Sequence, residues 1–133
     1  PLKPFLMASL PDFIARSLAD PMIEKLCDEA CDNAMAHLDD PVDRTMTNIF
    51  DGEFMKTFEG PAPGKLFIDR GEKVRIAYAM QVDFYNPNGI RKRGNHDSIG
   101  LISMANLNIP ESIRYKPENI FVAGITPGPK EPN

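Results

Sequence analysis

Two hydrophobic periods divide the chain. In "ADPMIEKLCDEACDNAMAHL", apolar residues recur at Ile23, Leu26, Cys27, Ala30 and Ala34, the spacing of one helical face. Glu24, Lys25, Asp28, Glu29 and Asp32 take the other side. Asp20 is placed to cap this helix, Pro21 fits its first position, and "DDP" at Asp39 to Pro41 ends it. Upstream, residues 1–10 read as an irregular arm and "PDFIARSL" as a short helix. Downstream, a weaker helical stretch runs from about Asp43 to Phe58 on Met46, Ile49, Phe50, Phe54 and Phe58. Gly52 is expected to break it into two pieces.

After the loop "EGPAPGK" the period drops to 2. Val74, Ile76, Tyr78, Met80, Val82 and Phe84 alternate with Arg75, Ala77, Ala79, Gln81, Asp83 and Tyr85, which predicts a strand. "NPNG" is turn chemistry. "SIGLISMANLNI" predicts a second strand, apolar on both faces and therefore central. "PESIRYKPE" reads as a connector, and "NIFVAGI" as a third strand. Links this short favour antiparallel neighbours, because a parallel crossover needs about a dozen residues or more. The expected class is α+β: a helical region over residues 1–60, then a three-stranded antiparallel meander over 61–133, together one compact unit. Thirteen prolines mark the segment edges.

The 133 residues are 42% hydrophobic, enough for a core. The formal net charge of −4 excludes a generally basic nucleic-acid binder, so contact with nucleic acid would need a local patch. No apolar run approaches the roughly 20 residues that span a bilayer. The start, "PLKPFLMASLPDF", lacks the parts of a secretory signal. Its first residue is Pro rather than Met, and the chain is expected to be a piece of a longer protein. Cys27 and Cys31, four residues apart on one helix, are too far apart for a relaxed disulfide. They read as reduced and buried, which suits an intracellular compartment.

Asp83 ends the first predicted strand on its smaller, more polar face, beside Gln81. A carboxylate there is either an oxygen ligand for Mg²⁺ or a polar residue that opens a turn. Arg91, Lys92 and Arg93 form a basic cluster on the following link, suited either to phosphates or to a solvated loop tip. His96 and Asp97 lie in the same link, where His96 is either a base or ligand or simply solvated. His37 is badly spaced to join Cys27 and Cys31 in a zinc site, which would also lack a fourth ligand. No nucleophile elbow, phosphate loop, dinucleotide fingerprint or HExxH pattern occurs.

The strings "DFYNPNG", "ISMANLNIP", "RYKPENIF" and "AGITPGPKEP" resemble the transposases of CACTA-type (En/Spm-like) DNA transposons, especially fungal copies. The resemblance runs from about Val82 to Pro132, with a looser match in "IFDGEFMKTFEGP". It implies the opening of an RNase H-like catalytic core bearing a triad of acidic residues, with three antiparallel strands and the first triad Asp on the first of them. Asp83 matches that position. In such enzymes two metal ions about 3.5–4 Å apart activate the attacking oxygen and stabilise the leaving one. The resemblance thus implies DNA cleavage and strand transfer by the intact parent, with Mg²⁺ or Mn²⁺ as cofactor and transposon-end DNA as partner. It also implies a nuclear location and a downstream part of the core that completes the triad. This chain alone is expected to be inactive and to hold no metal tightly. Asn88 and the short "IRKRGNHDS" link depart from the family pattern. The alternative reading is a non-catalytic, transposon-derived binding or scaffold module.

Overall fold

The structure is a computed structural model that describes residues 6–40, 45–60, 62–86 and 99–126. A two-residue strand, β1 (Leu6–Met7), leads into α1 (Leu10–Leu18) and α2 (Pro21–Ala36). Both helices start on side-chain caps. Ser9 Oγ accepts the Asp12 N–H at 3.4 Å, and Asp20 Oδ1 accepts the Met22 N–H at 2.9 Å. Each has a proline in its first turn, where the missing N–H costs no helical bond. A 3₁₀ turn (Ile49–Asp51) and a five-residue α3 (Glu53–Thr57) follow. Then come β2 (Tyr78–Tyr85), β3 (Ile99–Asn106), α4 (Glu111–Arg114), a 3₁₀ turn (Pro117–Asn119) and β4 (Ile120–Thr126).

The expected α+β class holds, with mixed helices and an antiparallel sheet. The strands run in the order β1-β4-β3-β2, and every pair is antiparallel. β3 is central, as its two apolar faces suggested. Between the pairs Ile102–Gly124 and Ser103–Val122 the register shifts, and β4 carries one extra residue, Ala123.

The two largest buried clusters lie at the root of the sheet, and α1 sets Phe13 against the buried Phe121 of β4. Cys31 and Ala34 of α2 pack with Phe50, Met55 and Ile68, against Ala77 and Leu107. Ile23 and Cys27 pack with Ile109, against Val74, Ile76 and Ile113. The helix therefore grips the segments that enter β2 and leave β3. Beyond them β2 stands clear, with Met80 68% and Val82 50% exposed.

Four boundaries differ from expectation. β2 begins at Tyr78, not Val74, because the Asn108 side chain takes the Ala77 N–H and the Arg75 carbonyl, and only the Ala77 carbonyl still accepts a backbone N–H, that of Leu107. The 43–58 stretch is helical only from Ile49 onward among its described residues, and it breaks at Gly52, whose backbone is extended. Asn48 and Asp51 form a reciprocal capping box that fixes the 3₁₀ turn. Leu6 and Met7, read as part of an irregular arm, pair with Ile125 and Gly124. The connector "PESIRYKPE" holds α4 and a 3₁₀ turn. Among the described residues no helix is long and apolar enough to cross a membrane.

Candidate functional site

Asp83 sits near the end of β2, opposite Leu101 of β3, which in turn pairs with Ile125 of β4. Its neighbours on the same face are Gln81, opposite Ser103, and Tyr85, opposite Ile99. Period 2 sends all of these side chains to one side of the sheet. The Asp83 side chain is exposed, and among the described residues nothing hydrogen-bonds to it or pairs with it. The carboxylate is thus held by a rigid, paired backbone and presents its oxygens outward, a geometry suited to a hard cation or to a hydroxyl or amine donor.

The described residues supply one carboxylate at this place. Among them no group of three His, Cys, Asp or Glu side chains converges to hold a metal ion. Mg²⁺ takes near-octahedral oxygen coordination, so Asp83 with water alone is an incomplete site. Arg91, Lys92 and Arg93, together with His96 and Asp97, lie outside the described residues. His37 stands apart from the strand, its Nδ1 2.9 Å from Asp40 Oδ2.

A second cluster, buried under the root of the sheet, was not singled out in the sequence. Asn108 Oδ1 accepts the Ala77 N–H at 2.8 Å. Asn108 Nδ2 donates to the Arg75 carbonyl at 2.8 Å and to the Cys27 carbonyl at 3.0 Å. Asn106 Oδ1 accepts the Asn108 N–H at 2.9 Å, and Asn106 Nδ2 donates to Cys27 Sγ at 3.3 Å. One amide thereby satisfies the Ala77 N–H and ties α2 to the strand entry through the Cys27 and Arg75 carbonyls. The signal available was a pair of Asn residues, "NLN", inside an apolar run.

The thiols of this cluster are free and fully buried, as expected. Burial pushes the Cys31 thiol up to about 11, against the lowering influence of Arg70. Burial also raises Cys27, opposed by the hydrogen bond from Asn106. Neither is a reactive thiolate, because reactive cysteines have lowered values and solvent access. Outside them Arg70 makes a fork to Asp32, Nε to Oδ1 and Nη2 to Oδ2, each at 2.7 Å. Its Nη1 lies 3.1 Å from Asp28 Oδ1, an ion-pair contact without hydrogen-bond alignment. The Arg70 hydrogen bonds hold the Asp32 carboxyl below its ordinary range. These groups fasten the turn after Ile68 to α2 and are structural.

Two hollows complete the picture, one apolar and one mixed. Phe54 and Phe58 of α3 stack at 5.3 Å between ring centres, and Phe58 meets Phe67 at 6.1 Å. With Met55, Ala77, Tyr78 and Leu107 they line an apolar cavity of about 260 Å³. A larger hollow of about 400 Å³ lies between α2, the Asn48 turn and α4, with Glu29, Asn33 and Arg114 on its wall. Arg114 is already committed there: its Nε donates to the Ile109 carbonyl and its Nη2 to the Leu107 carbonyl, both at 3.1 Å.

Comparison with protein-family models, with curated proteins and with solved structures finds no match to this chain.

Proposed function

We propose that the chain is the opening part of the RNase H-like catalytic core of a DDE-type DNA transposase, with Asp83 as its first metal-ligating carboxylate. The observation that carries this reading is the position of Asp83: an exposed carboxylate without a partner among the described residues, next to Gln81 on the first of three consecutive antiparallel strands. The transposase-like strings around it supply the chemistry. The uncovered sheet face suits a fold in which further elements pack on this one. Asp83 provides one ligand for Mg²⁺ or Mn²⁺, and the described residues do not complete the site. This segment alone is then inactive, and catalysis belongs to the longer protein in a nuclear setting. Arg91, Lys92 and Arg93 are assigned to backbone phosphates of transposon-end DNA. Replacing all three by Ala should flatten the salt dependence of DNA binding by the whole protein, roughly one slope unit per lost phosphate contact. The test of the reading is cleavage of transposon-end DNA by the protein that carries this segment. Cleavage that needs a divalent ion supports it, and cleavage that persists in chelator overturns it.

A second reading is a transposon-derived binding or scaffold module. Exposed Phe54 (70%) and Met80 (68%) favour it, because exposed apolar patches mark interaction surfaces. That reading predicts stable partner binding with no cleavage by the whole protein under any metal.

A further inference from the structure

Apart from two tyrosine hydroxyls, the polar side chains of β2, β3 and β4 divide by face. Asn106 and Thr126 lie on one face and are already bonded: Asn106 to Cys27 Sγ and the Asn108 N–H, Thr126 to the backbone of Gly100. Gln81, Asp83 and Ser103 lie on the other face. Among the described residues their side chains make no hydrogen bond or ion pair.

The register sets these three close together. Gln81 and Ser103 are directly opposed, which places their Cβ atoms about 4.5–5.5 Å apart. Asp83 lies two residues along β2 from Gln81, about 6.5 Å away, and is the diagonal neighbour of Ser103. At Ser103 the pairing with β4 shifts by one residue, and the carbonyl of the extra residue, Ala123, accepts the Ala8 N–H at 3.2 Å. Bulges are over-represented next to active sites, where they re-aim side chains. No lysine or arginine occurs in the three strands, so Asp83 is their single charge.

We propose that the Gln81 amide and the Ser103 hydroxyl hold the phosphodiester of the DNA strand on which Asp83 acts, an inference that rests on the reading of this chain as part of a transposase core. Both are neutral donors, and Gln and Ser side chains bond to phosphate oxygens in protein–DNA contacts. The absence of charge is what the place requires. A guanidinium or ammonium this close would pair with the Asp83 carboxylate and compete with a metal ion for it. An amide and a hydroxyl hold a phosphate oxygen and leave the carboxylate free. Their role is to position the phosphate, and neither gives up a proton.

Binding without metal or cleavage tests this. The whole protein that carries this segment is mixed, in chelator, with a fluorescent duplex of the transposon end that flanks its own gene, and anisotropy is followed at several salt concentrations. Gln81→Ala with Ser103→Ala should weaken binding about tenfold or more at each salt concentration. The slope of log affinity against log salt should stay the same, because neutral contacts release no counterions. Ser103→Ala alone should bind more weakly than the unaltered protein, and Ser103→Thr, which keeps the hydroxyl on a strand-favouring side chain, should restore most of the loss. Full affinity in the double variant would overturn the proposal. So would a flattened salt slope, which marks lost cationic contacts or a lost fold, or Ser103→Thr binding as weakly as Ser103→Ala. The metal assignment fails separately, if folded Asp83→Asn protein still cleaves at the unaltered rate.

Discussion

Asn108 joins three stretches of chain that are distant in sequence: the middle of α2, the entry to β2 and the exit from β3. It is buried, so water cannot replace what it bonds. Asn108→Ala should therefore destabilise the fold by about 1–3 kcal/mol, because it leaves the Ala77 N–H unpaired and removes the bonds that tie the Cys27 and Arg75 carbonyls together. Asn108→Asp should be at least as costly, since it removes both donors and adds a buried charge. Urea denaturation with an unchanged slope is the measurement. Cys31 makes a pH prediction at the same scale. Its folded value is about 11, raised above the ordinary 9.0. A raised thiol value means that the folded state keeps its proton where the unfolded state has lost it. The stability linked to it is complete below pH 9 and is lost as the pH climbs towards 11, by roughly 3 kcal/mol. Cys27 and Tyr78 shift in the same direction, both chiefly through burial, and add to the fall. Melting temperature should hold below pH 9 and drop steeply above it, and a flat profile to pH 11 would contradict the buried-thiol account. The same burial predicts that a thiol reagent labels Cys27 and Cys31 only at the rate of unfolding.

At the scale of elements, the sheet carries a steric fit at Gly100. A Cβ there would run into the Phe84 ring and Thr126 Oγ1. Thr126 Oγ1 also accepts the Gly100 N–H at 3.1 Å, tying β3 to β4 at the same point. Gly100→Val should cost about 1–3 kcal/mol through this overpacking, despite the better strand propensity of Val. Thermal melting with near-unchanged circular dichroism would show it. The three strands and the long helix α2 were legible because their periods are regular, and because Asp20 and Pro21 mark a helix start. The end of each pattern was less legible. Val74 to Ala77 alternate like a strand, yet their backbone is bonded by Asn108, a residue 31 positions away from Ala77. Leu6 and Met7 carry no periodicity, and only β4 makes them a strand. α4 is four residues long, too short for a period to declare itself. Asp83 was placed correctly on the strand and on the side of Gln81, since alternation alone decides which side a residue takes, but Leu101, Ile99 and Ile125 share that side through the register of β3 and β4. What surrounds that face depends on residues elsewhere, which alternation does not reach.

For the whole molecule, the relevant fact is where the core stops. Helix α2 closes two buried clusters at one end of the sheet, while Met80, Val82 and Tyr85 of β2 stay largely uncovered. A unit so arranged has a stable root and an open platform, and Asp83 lies on the platform. This separation predicts that changes at Asp83 leave the fold intact, because no described residue depends on its carboxylate. The central claim is that this carboxylate holds a metal ion used to cut DNA. Asp83→Asn in the whole protein keeps the size of the side chain and removes its charge, so it tests that claim most directly. Metal-dependent cleavage of transposon-end DNA should fall at least about a thousandfold, with melting temperature unchanged. Cleavage at the unaltered rate by a folded Asp83→Asn protein would contradict the account.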